Sequence, residues 1–348
     1  MQIVDRMTTK KRWIWFAGFM LLVLMGIGCV AHLSLRSSMK TGESVHLYVR
    51  SGSSPEAVLD SFIRKAEVER PWLLKALAHV GLKQAEVRVG HYEIKPGLSD
   101  VNVIRMLRAG LQTPVRVTFN NVRTVEQLAG KLGSQLLVDS LEWIAYFQDS
   151  SLIASSGFDR NTFMTVFIPD TYEMWWNTST ERAFGVLRQA YERFWTEDFK
   201  QRAQALRMRP VEVSVLASIV EEETNKADEM PRVAGLYINR LRMGMPLQAD
   251  PTVKFALGDP GLRRILTEHT RIQSPYNTYL FAGLPPGPIR IPSKQALRAV
   301  LNFERHSYLY MCARADFSGY HAFATTLSQH NRNAQAYHKA LNERGIMK

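Results

Sequence analysis

The sequence predicts an α+β protein with a single N-terminal transmembrane helix, a small α+β domain and a larger α+β domain. Three observations lead to this fold class. An uncharged apolar segment lies near the N-terminus, strand-like and capped helical segments alternate after it, and the 348 residues favour about two domains. Hydrophobic residues make up 46% of the chain and charged residues 22%, as is typical of a folded protein with a real core.

The charge and the cysteine content limit the partners of the protein. A net charge of +12 favours anionic surfaces such as nucleic acid, lipid headgroups or an acidic polymer, although a solvated basic surface is the more ordinary explanation. A disulfide between the two cysteines, Cys29 and Cys312, is not expected because Cys29 lies in the apolar segment. No Cys or His spacing suggests a metal site, and we expect no metal and no cofactor.

The apolar segment, Trp13 to Leu35, contains no Asp, Glu, Lys or Arg and is about long enough to cross a bilayer as a helix. Four basic residues precede it, Arg6, Lys10, Lys11 and Arg12, which favours a cytoplasmic tail over residues 1–12. A cleaved signal peptide is the alternative, but its apolar region is usually shorter. We expect a single-pass anchor in the cytoplasmic (inner) membrane, with the body of the protein in the periplasm or outside. Nucleic acid is then largely excluded as a partner.

The small α+β domain is expected between residues 44 and 110. Its strands are predicted at His46–Val49 and Val87–Ile94, where apolar residues alternate with polar ones. Its helices are predicted at Pro55–Arg64, Pro71–Val80 and from Asp100 to just before Gly110, because cap residues and prolines mark their first turns.

The larger domain follows the same signals. Its strands are predicted at Val115–Asn120, at Val166–Ile168 before Pro169, at Tyr308–Ala313, which should be buried, and at Gly319–Phe323. Its helices are predicted at 124–132, 141–147, 181–202, 211–224, from 231 to near 244, 250–258 and 328–344. In the sixth of these, Asp250 and Pro251 supply an N-cap and first-turn pair, and Gly258 ends the helix.

Three consecutive carboxylates, Glu221, Glu222 and Glu223, end the apolar helix 211–224. At 100° per residue, Glu221 and Glu223 fall on opposite edges of its apolar stripe, and Glu222 points the other way. A carboxyl at the edge of a core loses hydration, which favours the neutral form and makes it a candidate acid. Periodicity cannot choose between Glu221 and Glu223, and a solvated helix end is the more frequent explanation for such a triplet.

Several other side chains have both a functional and a structural explanation. Trp175 and Trp176 follow carboxylates and suit stacking on sugar rings, but they are as often core residues. The single histidines His321 and His330 are expected to be structural.

A series of motifs then resembles one known family, and the motifs occur in order along residues 115–345. They are Pro169-Asp170-Thr171-Tyr172, Ala217-Ser218-Ile219-Val220-Glu221 with Glu223-Thr224, Asn239-Arg240-Leu241, Leu247-Gln248-Ala249-Asp250-Pro251, Tyr276-Asn277-Thr278-Tyr279, Gly283-Leu284-Pro285-Pro286-Gly287 and His321-x-Phe323. The chain resembles the endolytic murein transglycosylase family, whose members are membrane-anchored and carry a LysM-like domain. The resemblance implies a LysM-like domain over 44–112 and a catalytic domain over 115–345. Met164-Thr165 replaces the family's usual Glu-Gly pair, which puts one substrate contact in doubt.

The resemblance also implies the reaction and its residues. It places the catalytic acid on Glu221, with supporting or substrate-binding roles for Glu223, Asn239, Gln248, Asp250, Asn277 and Tyr279. The family cleaves the β-1,4 bond between N-acetylmuramic acid and N-acetylglucosamine in peptidoglycan without water and leaves a 1,6-anhydro end. A short tether to the bilayer favours cleavage of nascent strands near cell-wall synthases (penicillin-binding proteins) and termination of strand elongation. A hydrolytic muramidase and a non-catalytic wall-binding or division scaffold are the alternatives.

Overall fold

The structure is a computed structural model that describes residues 2–82, 87–259, 261–262 and 265–345, with residues 2–10 described by their backbone alone. Met1, the first residue of the predicted cytoplasmic tail, lies outside the described residues. The chain divides into two compact units. Unit 1 comprises the residues up to 115 together with 173–177, and unit 2 comprises 116–172 and the residues from 178 onward.

Unit 1 contains an N-terminal helix and a small α+β body. Its elements are α1 (Gln2–Ser34), β1 (Val45–Val49), α2 (Pro55–Ala66), α3 (Pro71–Gly81), β2 (Gly90–Ile94) and α4 (Asp100–Ala109). The strands β1 and β2 are antiparallel, with Leu47 opposite Tyr92. Both side chains are buried, and together with the apolar faces of the helices they form the core of this unit. The predicted second strand is shorter than expected, since it begins at Gly90 and not at Val87.

The helix α1 includes the predicted apolar segment. Its residues Lys11–Ser34 include an 18-residue window with a mean hydropathy of 2.3, and none of that window is buried against the protein. By length and composition, this stretch could cross a membrane as an anchor or serve as a signal sequence. The predicted mixed α+β class with an N-terminal apolar helix is therefore confirmed.

Unit 2 is mostly helical and has short strands. The remaining elements are β3 (Val115–Phe119), α5 (Val125–Gly133), α6 (Ser140–Gln148), α7 (Ser150–Ser155), β4 (Asp170–Met174), α8 (Thr180–Phe194), α9 (Glu197–Ala205), α10 (Pro210–Glu223), α11 (Met230–Arg242), α12 (Asp250–Leu257), α13 (Lys294–Leu301), β5 (Tyr310–Ala313), β6 (His321–Ala324) and α14 (Leu327–Glu343). β3 pairs with β4, and β5 pairs antiparallel with β6. Short 3₁₀ helices lie at Phe163–Val166 and His269–Arg271.

Three sequence-based expectations for unit 2 are wrong. The long helix predicted over 181–202 is two helices, because the Thr196 hydroxyl accepts a hydrogen bond from the Phe199 N–H and caps a new start. The strand predicted before Pro169 is a 3₁₀ turn, and the strand follows the proline. The strand β5 is only partly buried along its whole length, whereas a buried strand was expected.

The helix α10 is the centre of the unit 2 core. Eight consecutive residues, 213–220, are buried, so the helix is enclosed on every side and not on one stripe. It packs against α9, α11, α12 and α13. Pro210 stands in its first turn, and the Glu212 carboxylate accepts a hydrogen bond from the Arg209 N–H, which fixes the N-terminal end. The other end carries the three glutamates.

A pair of histidines lies in the small sheet of unit 1. Nδ1 of the buried His91 is 2.9 Å from the Thr113 carbonyl oxygen, which can only accept, so this nitrogen carries the proton. Nε2 of His91 is then the acceptor for Nδ1–H of His46, at 2.9 Å. Burial lowers the pKa of His91, and the neighbouring His46 lowers it further against the opposing effects of Thr113 and Glu93.

We expect His91 to titrate below its ordinary value of about 6.5 in the folded protein. A histidine whose pKa is lowered by folding stabilises the native state above the unfolded pKa, and this contribution is lost as the pH falls. Amides of β1 and β2 should therefore lose protection from hydrogen exchange between pH 7 and pH 5, after correction for intrinsic rates. An NMR titration of His91, with the chain in urea as reference, measures the pKa directly. A value at or above that of the urea state would contradict the prediction.

Candidate active site

An open cleft of about 380 Å³ lies at the C-terminal end of α10 in unit 2. Its walls come from α11, the segment before α12, the β5–β6 hairpin and α14. Polar and titratable residues predominate in its lining, which includes Glu223, Tyr237, Arg240, Gln248, Asp250, Tyr279, Tyr310, Cys312, His321 and His330. Four of the predicted site residues, Glu223, Gln248, Asp250 and Tyr279, are therefore brought together.

Glu223 is the last residue of α10, and its carboxylate faces this cleft. The hydroxyl of the buried Tyr237 donates a hydrogen bond to Oε1 of Glu223 at 2.6 Å. Burial raises the pKa of Glu223 to about 7, and the negative charge of Asp250 also raises it. The hydrogen bond from Tyr237 and the charges of His321 and Lys254 act in the opposite direction and lower the pKa. A carboxyl with a pKa near neutrality can both give and take a proton at the working pH.

Glu221 lies on another side of the helix and is not part of the cleft lining. Its Oε2 accepts the Ser293 N–H at 2.7 Å, and its Oε1 is 3.6 Å from the Arg290 guanidinium. These contacts hold the carboxylate at the start of α13. Of the two carboxylates between which the helical periodicity could not choose, Glu223 lines the cleft and Glu221 does not.

Glu222 is not a free, outward-facing side chain either. Its carboxylate accepts from Arg123, at 2.6 Å and 2.9 Å, and from Arg290, at 2.7 Å. Only 18% of its side chain is exposed. Two of the three glutamates are thus in ion pairs that connect α10 to neighbouring loops, and only the third reaches the cleft.

Asp250 and Tyr279 form a pair on one wall of the cleft. The Tyr279 hydroxyl donates to Oδ1 of Asp250 at 2.5 Å, and burial together with this bond raises the pKa of Tyr279. Asp250 was expected to cap α12, but it is the first residue of that helix, and the cap position, Ala249, has no side-chain bond. Its exposed carboxylate is therefore available to a ligand.

Gln248 occupies a strained position next to this pair. Its φ of 51° lies in the left-handed region, which residues other than glycine adopt rarely. The buried Arg240 holds it there, because its Nη1 donates to Oε1 of Gln248 and to the carbonyl oxygens of Pro246 and Leu247. Strain of this kind is common at binding sites.

The two predicted asparagines lie outside the cleft lining and support loops. Asn277 is fully buried, and its amide donates to the carbonyls of Thr270 and Ile272. The amide of Asn239 donates to the carbonyls of His306 and Tyr308 and so fixes the segment that leads into β5. Both side-chain amides are thus engaged with backbone carbonyls of neighbouring loops.

Sequence reasoning missed one side chain of the cleft in particular, His321. Its backbone N–H and its Nδ1 lie 2.7 Å and 2.9 Å from the two carboxylate oxygens of Glu229, which is only 3% exposed. Because a carboxylate oxygen can only accept, Nδ1 of His321 carries the proton, and Nε2 is left for the cleft. The expectation that His321 is purely structural is therefore incomplete. The only signal in the sequence was the His-x-Phe motif.

The aromatic residues Trp175 and Trp176 have different environments. Trp176 is buried in unit 1 and contacts Tyr48 edge-on, whereas 49% of Trp175 is exposed. Trp176 is therefore a core residue, and of the two tryptophans only Trp175 could stack on a ligand.

Thr165 is one of the two residues, Met164 and Thr165, that depart from the family pattern. It is buried, and its hydroxyl donates to the Thr162 carbonyl. Over the described ranges, no three His, Cys, Asp or Glu side chains are grouped so that they could hold a metal ion.

Comparisons with known proteins agree with one another. A model of the YceG-like family matches residues 47–336. An endolytic murein transglycosylase of Bacillus subtilis is 26% identical over 320 residues, which are 86% of this chain and 87% of the relative. An endolytic murein transglycosylase of Streptococcus pneumoniae is 25% identical over 280 residues, 71% of this chain and 50% of the relative, so the chain spans about half the length of that protein. A crystal structure of a yceG-like protein from Listeria monocytogenes has a TM-score of 0.58 at 22% identity and covers 84% of this chain and 99% of its own.

The raised pKa of Glu223 predicts a specific pH dependence of stability. A carboxyl whose pKa is raised by folding stabilises the native state fully below the unfolded pKa, and the contribution is lost as the pH rises through about 7. Relative to Glu223→Gln, the wild type should lose about 3 kcal/mol of unfolding free energy between pH 4 and pH 8. Denaturant unfolding at several pH values measures this difference. Tyr237→Phe should raise the pKa of Glu223 further, and a pH-independent difference between wild type and Glu223→Gln would contradict the prediction.

Proposed function

The chain belongs to the YceG-like family, and from this premise we propose that it is a membrane-anchored endolytic lytic transglycosylase that uses Glu223 as its acid and base. The substrate is the β-1,4 bond between N-acetylmuramic acid and N-acetylglucosamine in peptidoglycan strands. The observation that carries the proposal is the position of Glu223 in the cleft. Burial raises the pKa of its carboxyl to about 7, and the side chains around it are polar and aromatic, as is common where proteins bind sugars.

The reaction needs one group that changes its protonation state. The Glu223 carboxyl first gives its proton to the glycosidic oxygen, and the bond from that oxygen to C1 of the muramyl sugar breaks. The carboxylate then takes the proton of the C6 hydroxyl as the C6 oxygen bonds to C1. Glu223 ends protonated, no water is consumed, and the product has a 1,6-anhydro end. General acid and base catalysis of this kind contributes about 10²- to 10⁴-fold.

The hydrogen bond from Tyr237 suits both steps. It stabilises the carboxylate that forms after the first proton transfer, and it orients the carboxyl before that transfer. Burial opposes this effect and keeps the neutral form populated. The balance of the two leaves Glu223 close to the midpoint of its titration at neutral pH.

The remaining polar groups of the cleft are suited to hold the sugars. Asp250, with Tyr279 as its donor, offers acceptors for hydroxyl groups, and the strained Gln248 presents an amide beside them. Nε2 of His321 faces the cleft from the hairpin. Acceptors and donors at fixed positions are what recognition of a sugar with many hydroxyls and N-acetyl groups requires. We infer that Asn239 and Asn277 support this wall and do not touch the substrate.

The anchor and the small domain belong to the same proposal. The apolar part of α1 would cross the cytoplasmic membrane with the N-terminus in the cytoplasm, since basic residues precede it. Residues 44–112, the α+β body of unit 1, would be a LysM-like domain and residues 115–345 the catalytic domain. An enzyme held at the membrane meets newly made strands first, which supports a role in ending their elongation beside the cell-wall synthases.

The first test is a pair of isosteric substitutions at two positions of one helix. Glu223→Gln should abolish cleavage of purified glycan strands, because an amide cannot transfer the proton. Glu221→Gln is the matched control and should cleave normally, since the amide oxygen can still accept from the Ser293 N–H. Mass spectrometry of the digests gives the result. Cleavage by the folded Glu223→Gln variant, or its loss only in Glu221→Gln, would reject the assignment.

The products distinguish the proposed reaction from its hydrolytic alternative. A transglycosylase should leave anhydromuramyl ends, which are lighter than reducing muramyl ends by one water. A muramidase with Asp250 as its second carboxyl would leave reducing ends. The digest of the wild-type protein therefore decides between the two reactions, and intact strands after prolonged incubation would favour the scaffold.

A further expectation concerns Glu229, which orients His321. Glu229→Gln replaces one acceptor oxygen by a donor and should allow His321 to turn, which lowers kcat/KM by roughly 10- to 100-fold. The ¹⁵N shifts of His321 should report the change in its protonated nitrogen, a signal that a purely structural role would not alter. Glu229→Asp should partly restore activity. Unchanged kcat/KM in Glu229→Gln with an altered His321 spectrum would remove His321 from the site.

A further inference from the structure

The segment that follows the apolar helix is fixed to the body of unit 1. Ser38 donates from its backbone N–H and from its hydroxyl to Oδ1 of Asp100, at 2.9 Å and 2.7 Å. Both residues are buried, with 1% and 2% of their surface exposed. Charge-assisted bonds to a buried carboxylate are among the stronger hydrogen bonds in proteins.

Backbone hydrogen bonds extend this attachment on both sides of Ser38. The Asp100 N–H donates to the Arg36 carbonyl, the Glu69 N–H to the Ser38 carbonyl and the Lys40 N–H to the Ala66 carbonyl. The attachment begins two residues after α1 ends. Residues 36–40 of the short linker expected from the sequence are therefore held against the folded body of unit 1.

The helix α3 begins beside this attachment. Arg70, which immediately precedes α3, donates from Nη2 to the Ser37 carbonyl at 3.0 Å, and α1 and α3 are in contact. Trp72, in the first turn of α3, has 60% of its surface exposed, and Val80, two turns further on, has 82%. Leu35, the residue that follows α1, is also exposed. Exposed apolar side chains thus lie on the helix that adjoins the end of α1.

We propose that the exposed face of α3, formed by Trp72, Ala76 and Val80, lies in the headgroup region of the same bilayer that α1 crosses. This inference rests on the membrane anchoring in the proposed function. The 24 residues Lys11–Ser34 of α1 are about 36 Å long at 1.5 Å per residue, enough for a hydrocarbon core of about 30 Å, so Leu35 reaches the lipid–water boundary.

The chemistry of this face fits a lipid surface. Tryptophan is enriched at membrane interfaces because its ring is apolar and its N–H can bond to headgroups or water. Arg36 and Lys40 are exposed beside the attachment and can contact anionic lipids. The face adjoins a helix that is itself proposed to be in the lipid. Unit 1 would then touch the membrane through α1 and α3 together.

The test uses the full chain in nanodiscs of phosphatidylethanolamine and phosphatidylglycerol. In a Cys29→Ser, Cys312→Ser background, spin labels are placed on α3 (Ala76→Cys or Val80→Cys), in the apolar part of α1 (Leu24→Cys) and in the first turn of α2 (Glu56→Cys). All four positions are exposed. Ala66, at the C-terminal end of α2, accepts from the Lys40 N–H, and ten residue steps along the helix place Glu56 about 15 Å from Ala66. Collisions with oxygen, which enters lipid, and with a water-soluble nickel chelate are measured by electron paramagnetic resonance.

We expect the labels on α3 to collide with oxygen as the α1 label does and to lose the nickel collisions that the α2 label shows. Adding Trp72→Glu should return the Ala76 label to water while the α1 label stays in lipid. If the α1 label is in lipid and the α3 labels behave like the α2 label, then the proposed contact of α3 with the bilayer is wrong, whereas the proposed membrane anchoring by α1 is retained. Nickel access at the α1 label would reject the anchor and the docking together. Loss of both kinds of collision at α3 would indicate a protein contact and would also overturn the proposal.

Discussion

The burial of α10 is the constraint on which the rest of unit 2 depends. Eight consecutive residues, 213–220, are buried on all sides, so the helix cannot shift or rotate without opening the core. Its last turn carries three carboxylates, and a carboxylate in such a core must be paired with a donor, reach solvent or be neutral. Glu221 and Glu222 are paired with backbone and arginine donors, and Glu223 is placed at the edge of a cleft. The rigidity of the core thereby fixes the position of one titratable group.

The walls of the cleft are fixed by polar contacts between segments that are distant in sequence. The loop between α10 and α11 is joined to the tip of the β5–β6 hairpin twice, since Glu229 binds His321 and Asp228 accepts from the Tyr320 hydroxyl. The buried Arg240 joins α11 to the segment before α12 and, through the Leu309 carbonyl, to the start of the hairpin. A guanidinium can do this because its donors point in several directions within one plane. A short, partly buried hairpin with only four residues in each strand is thus held as one side of a site.

The local elements were largely predictable, and the long-range contacts were not. Caps and prolines gave most helix positions in the sequence, and the family was recognised correctly from its motifs. The break between α8 and α9 was not predicted. A threonine such as Thr196 within a polar helical pattern can lie inside a helix or cap a new one, and the sequence does not distinguish the two. Periodicity separated the directions of Glu221 and Glu223 on one helix, but it predicted a single apolar stripe where the structure buries every side of residues 213–220, and it does not indicate which groups lie beside each glutamate. Gln248 has a left-handed backbone that no pattern of side chains indicates.

The choice between Glu221 and Glu223 shows what decides the role of a carboxylate. The two are the same residue type, two positions apart on one helix, and both are partly buried. Glu221 meets a backbone N–H and an arginine from residues about seventy positions later, and these donors hold it in place in an ion pair. Glu223 meets the neutral hydroxyl of Tyr237 and the negative charge of Asp250 beside it, so its neutral form is favoured. Chemistry at this helix end therefore follows from the partners that the fold brings to each side chain, and the helix itself supplies only the direction in which each one points.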